Sequence, residues 1–170
     1  MGLSSSISVS ASAELTSTLD LGTASAPLSL RRAVSLASGT GAGKADKVFS
    51  DRRTLAASAS EDLDLAGVLL DAFGGSITFA RIKGLVISAL AANTNNVIVG
   101  GASSNGFVSW VGGATHTVTV RPGATLALMA GGTDATGYAV TAGTADLLHI
   151  ANSGAGTSVT YDVVLIGASA

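Results

Sequence analysis

The stretch Tyr138–Gly167, YAVTAGTADLLHIANSGAGTSVTYDVVLIG, carries the sharpest structural signal in the chain. In its last segment Val159, Tyr161, Val163 and Leu165 alternate with Thr160, Asp162 and Val164. That two-residue period turns one set of side chains toward a core and the other away from it. The whole stretch reads as two or three β-strands folding back through the glycine-containing turn Asn152-Ser153-Gly154-Ala155-Gly156. The final strand is then a core strand, with Thr160 and Asp162 on its exposed or interface side.

Working backward, strand and turn repeat. Ala124 to Ala130 is a strand pattern between Arg121-Pro122-Gly123 and Gly131-Gly132; Thr115 to Val120, Phe107 to Val111 and Val97 to Val99 are others, separated by Gly112-Gly113 and Gly100-Gly101. The run Ser76 to Leu90, SITFARIKGLVISAL, predicts a long strand bent near Lys83-Gly84, where a bulge would shift which face is buried. Leu65 to Phe73 is bracketed by Gly67 and Gly74-Gly75 and reads as a connection. Leu55, Ala57, Ala59, Leu63 and Leu65 share one phase, as in a half-exposed strand or two short ones. Strands spaced by Gly, Asn and Pro-Gly turns, with no convincing amphipathic helix, argue for an all-β sandwich or barrel. The favoured architecture is a single β-sandwich, jelly-roll-like, with eight strands and extra strands from the leader.

That leader, residues 1–45, is rich in Ser, Ala, Thr and Gly and holds two strand-like patches. One has Ile7, Val9, Ala11 and Ala13 on a side; the other has Leu28, Leu30, Val34 and Leu36, with Arg32 intruding. Neither founds a core, so residues 1–45 are expected to form an extended N-terminal arm on a β-sandwich domain of residues 46–170. The patches offer sheet edges and apolar faces that a neighbour would satisfy, and a homo-oligomer, dimer or trimer, is the expectation.

Composition points the same way. Of 170 residues 47% are hydrophobic but only 12% charged and 4% aromatic, with 22 glycines, so small residues cover much of the surface. A free monomer leans on more surface charge than this. The net charge of −2 offers no electrostatic case for nucleic acid. Eight of the nine basic residues lie between Arg31 and Lys83, among acids, and read as a solvated or ion-paired surface. No cysteine is present, which excludes a disulfide scaffold. No apolar run reaches the roughly 18 residues of a spanning helix, so no membrane role is expected. Ala11-Ser12-Ala13 mimics a signal-peptidase site but lacks a basic region before it, and the myristoylation-like Met1-Gly2 start matches only a loose pattern.

The chemistry-bearing residues form no recognisable catalytic or ligand-binding pattern. Gly39-Thr40-Gly41-Ala42-Gly43-Lys44 departs from a phosphate-binding loop in spacing and in the Ala45 that follows the lysine, and reads as a flexible loop. His116 and His149 sit in strand patterns without nearby metal-ligand partners. A triad of a serine, His149 and Asp146 exists on paper only. Glu61-Asp62-Leu63-Asp64 with Asp71 is the sole acidic cluster, and its alternation marks the wet face of a strand. Trp110 with Phe107 raises the rival reading of a carbohydrate-binding module, although a lone tryptophan in a small sandwich is more often core. No catalytic, cofactor-binding or metal residue is assigned, no cofactor is expected, and the chain is read as no enzyme.

The run Ala139–Leu148 with Ile150, Asn152-Ser153 and Val159–Gly167, preceded by Val118-Thr119-Val120-Arg121-Pro122-Gly123, resembles small structural proteins of tailed bacteriophage virions. These include capsid decoration or cement proteins and small tail components. The similarity spans residues 48–168 as strand and turn texture, without a catalytic motif. It implies a protein on the outside of a capsid, partnered by the major capsid protein and bridging capsid subunits, with a tail component as the alternative.

Overall fold

The computed structural model describes residues 2–170. They form an all-β protein with no helix. The strands are β1 (Ser5–Leu19), β2 (Gly22–Ser38), β3 (Lys44–Ala45), β4 (Lys47–Leu55), β5 (Ser60–Asp64), β6 (Arg81–Ala89), β7 (Val97–Gly100), β8 (Thr117–Val120), β9 (Thr125–Met129), β10 (Tyr138–Ala139), β11 (Leu147–Asn152) and β12 (Val159–Ala168). One sheet runs β4-β12-β6, with β9 and the short β10 both on the far side of β6; a second runs β5-β11-β7-β8. Every pairing in these two sheets is antiparallel.

The alternation in β12 places the core. Val159, Tyr161, Val163 and Leu165 are all fully buried, whereas Thr160, Asp162 and Val164 are only partly covered. They meet Leu85 and Ile87 of β6 and Phe49 of β4 from their own sheet, and Leu148 and Ile150 of β11 from the other. Burying each such side chain contributes about 1.5–3 kcal/mol, so the shared interior of the two sheets is what holds them together. The turn after β11 does something other than the sequence suggests. β11 and β12 belong to different sheets and never pair, so Asn152–Gly156 carries the chain across the core instead of closing a hairpin.

Asparagine side chains secure that crossing. Asn152 is buried; its amide donates to the carbonyls of Ala56 and Thr157, and its oxygen accepts from Asn95. Asn93 brackets Thr160, donating to its carbonyl and accepting from its N–H. Residues that read locally as turn punctuation thus clasp one end of the molecule.

The bend foreseen at Lys83-Gly84 is a bulge. β12 pairs Ile166 with Gly84 but Gly167 with Ile82, leaving Lys83 as the extra residue. In consequence Ile82 and Leu85, three apart, both face the core. Lys83 itself is buried and donates from Nζ to the Asp134 carbonyl, and desolvation pulls its pKa down. The strand is shorter than the Ser76–Leu90 run, beginning at Arg81. Phe107–Val111 is no strand at all: Val111 N–H turns back to the Val108 carbonyl and Trp110 Nε1 to that of Phe107, so this short apolar segment plugs the core from a loop. Its pattern lacks the alternation that a half-buried strand needs.

Candidate functional site

Residues 5–38 build one long hairpin. β1 and β2 pair in unbroken register from Ser5↔Leu36 to Leu19↔Gly22, closed by the two residues Asp20 and Leu21. Fifteen residues of β1 extend about 50 Å at ~3.4 Å each. Directly opposed residues share a face, so register sorts the side chains. One face carries Ile7, Val9, Ala11, Ala13, Leu15, Ser17 and Leu19 with Val34, Arg32, Leu30, Leu28, Ala26 and Ala24; the other carries serines, threonines, Glu14 and Arg31 with Ala33 and Pro27. The two patches seen separately in the sequence are thus the two halves of a single apolar face.

Only the base of that face is covered. Ile7 and Leu36 are buried in a small second cluster with Ala45 and Ile166, on the outer side of the β4-β12-β6-β9 sheet, where Val34, Met129 and Val164 also pack. Gly84 makes the socket: a Cβ there would collide with Ile7 Cδ1. Beyond this base Val9, Leu15, Leu19, Leu28 and Leu30 stand in solvent, Leu15 76% exposed, and Leu21 at the tip is wholly bare. A second bare patch lies on the connection after β5, where Val68, Leu70 and Phe73 are exposed and Asp71 fixes the turn by accepting from the N–H groups of Phe73 and Gly75.

The polar residues singled out in the sequence are engaged elsewhere. Of the acidic cluster, Glu61 accepts from Arg53 (2.6 Å) and from the Tyr161 hydroxyl (2.7 Å), Asp62 pairs with His149 Nδ1 (2.6 Å), and Asp64 caps the N–H of Ala66. Burial is the main cause that drives the Tyr161 phenol far above its usual pKa, with the Glu61 carboxylate adding to it. Arg52 forks onto Asp162 across β4 and β12, holding that carboxyl below its ordinary range. Asp146 accepts from the Gly143 N–H while His149 is tied to Asp62, so the paper triad is not assembled. His116 is exposed in the turn before β8. The Gly39–Lys44 loop leads into β3 and β4. Trp110 is half-buried against the core.

Two grooves of about 220 and 290 Å³ flank the outer part of β4, one beside Arg52 and Thr54, the other beneath Val68 and Leu70. Asp51 and Arg53, which form an ion pair, line both. Among the described residues no three His, Asp or Glu side chains gather as metal ligands, and no helix is long and apolar enough to cross a membrane. What the geometry offers is surface: a projecting amphipathic ribbon and an apolar loop. No family model, curated protein or solved structure matches the chain.

Proposed function

We propose that this chain is a non-enzymatic structural protein of a tailed-phage virion, a decoration or cement protein that sits on the outside of the capsid and stabilises it by bridging capsid subunits. The observation that carries the reading is the ribbon, a ~50 Å rod with one apolar face bare over most of its length. A two-stranded hairpin is marginal in water by itself, so a long one with such a face is built for contact with another chain. The low charge and small-residue surface favour the same setting. A jelly roll is supported by the strand order: β4 pairs with β12, β5 with β11, β6 with β9 and β7 with β8, four nested pairs assigned alternately to the two sheets. That is the pattern of a long hairpin rolled up on itself. The carbohydrate-module alternative loses its motive, since Trp110 packs inward and its N–H is spent on Phe107.

The test is add-back. Particles prepared without the chain should take it up to a fixed stoichiometry and then survive higher temperature, because a ligand that binds only the assembled shell stabilises it by mass action. Stripped shells that keep full stability and bind none of the protein would end the decoration reading, and density found on the tail would replace it with the tail component.

A further inference from the structure

We propose that the bare part of the ribbon face is an isologous dimer interface, in which two copies of this chain lay their ribbons face to face and antiparallel. The inference stands apart from the virion reading, since it concerns the purified chain alone. Three observations select this occupant and this arrangement.

The first is extent. Val9, Leu15, Leu19, Leu28 and Leu30 on the face, with Leu21 at the tip, are each about half exposed or more. At on the order of 100 Å² apiece they present about 600 Å² per copy, at the upper end of what a monomer leaves bare and near the ~800 Å² that each partner buries in a stable pair. The chain's own domain cannot cover it, because the same face is already seated at its base through Ile7 and Leu36 and then runs on past the sandwich.

The second is the edge. Pro27 lies inside β2 opposite Glu14 with the register unbroken through it. A proline has no N–H for the ladder, so its nitrogen must face outward. The outer edge of β2 therefore lacks a donor in mid-strand, which disfavours addition of a further strand on that side; the outer edge of β1 is open, but a strand added there would leave the leucines of the face bare, which only face-to-face contact covers.

The third is charge. The bare segment has a cation near its base, Arg32, opposite Val9, and an anion at its tip, Asp20, about 34 Å away by strand rise. Parallel stacking would set Arg32 beside Arg32 and Asp20 beside Asp20. Antiparallel stacking about a two-fold axis sets each Arg32 at the level of the partner's tip, pairs opposite charges at both ends, and leaves leucines and alanines to meet in the middle.

Sedimentation equilibrium of the full chain should give a dimer at micromolar concentration. Leu15→Glu with Leu28→Glu should yield a monomer whose sandwich melts unchanged, because both side chains are solvent-exposed in the single chain. Arg32→Glu and Asp20→Arg should each weaken dimerisation about tenfold or more, and the two changes in one chain should restore it, a readout that mere loss of apolar area would not give. A chain that stays monomeric at every concentration, a trimer, or a dimer indifferent to the leucine and charge changes would overturn the proposal. So would association seen only when shells are added, which would assign the face to the shell.

Discussion

Tyr161 and Gly84 show how single side chains set this structure. Tyr161 is the largest fully buried residue, and its hydroxyl donates to Glu61, which Arg53 also holds. Its phenol is raised above the unfolded value of about 10, so the folded state favours the protonated form. The stability it contributes is complete below about pH 10 and is lost as pH rises beyond that, where only the unfolded chain releases the proton. Tyr161→Phe should remove that alkaline slope, seen in denaturant midpoints between pH 9 and 11, and cost about 1–2 kcal/mol at pH 7 through the lost bond to Glu61. An unaltered alkaline slope would deny Tyr161 this role. At the acid end Asp162 beside Arg52, and Asp134 under the N–H groups of Gly137 and Thr136, are both lowered, so their contribution is present above the ordinary carboxylate range and disappears as pH falls through their folded values. In the core itself, Leu165→Ala removes a fully buried side chain and should cost roughly 2–5 kcal/mol in chemical denaturation. Gly84 acts by absence. Gly84→Ala must push Ile7 from its socket, and Ile7→Ala in the same chain should relieve that clash, so the double variant should hold the ribbon base better than Gly84→Ala alone. Amide exchange at Ile7 and Leu36 reports it directly.

At the scale of elements, the ribbon divides into a seated base and a bare outer part, and exchange should follow that division. Amides near Ser5–Ile7 and Val34–Leu36 should be protected at all concentrations, whereas those from Ala11 to Leu30 should exchange quickly in dilute protein and slow as it associates. Uniform protection along the hairpin, whatever the concentration, would contradict a face completed by a second copy. The same elements show what sequence can and cannot reveal. The two-residue period of β12 was plain because a strand flanked on both sides buries one face without interruption. The bulge at Lys83 was legible because a glycine interrupts a long β-branched run. The apolar halves of the ribbon were also visible, as Ile7–Ala13 and Leu28–Leu36, but nothing local says that they pair with each other. Pairing is settled by a turn whose residues, Asp20 and Leu21, carry no strong turn signal. For the same reason the Asn152–Gly156 turn looked like a hairpin: its composition is that of a tight turn, and only packing against β5 and β7 sends β11 to the other sheet. Phe107–Val111 misled because a short apolar run serves equally as a strand or as a loop that fills the core.

Taken as a whole molecule, the chain sets a ribbon with a bare outer part on a sandwich with its own core, and that arrangement bears on how firmly it would hold a shell. The sandwich has its own continuous core, to which no residue of the outer ribbon contributes. Two sandwiches joined by antiparallel ribbons would stand at opposite ends of a rod, each presenting the same loops, including the bare Val68, Leu70 and Phe73. If each sandwich contacts one capsid subunit, the second contact becomes intramolecular once the first is made, and the apparent affinity gains by effective concentration without any new side-chain interaction. Such coupling is worth about 10²–10⁴ in affinity when the geometry lets both ends engage. The Leu15→Glu, Leu28→Glu chain, folded but single-ended, should therefore bind stripped shells at least about 10²-fold more weakly than the unaltered protein and protect them correspondingly less against heat. Phe73→Ser, by contrast, leaves the ribbon intact and alters only the loop, so a loss of binding without a loss of dimer would mark the loop as shell contact. Titration of labelled protein onto stripped particles, read against sedimentation of the same variants, separates these cases. Equal shell affinity for the single-ended and the dimeric protein would mean that one sandwich suffices, and bridging through the ribbon would have to be given up even if decoration itself stood.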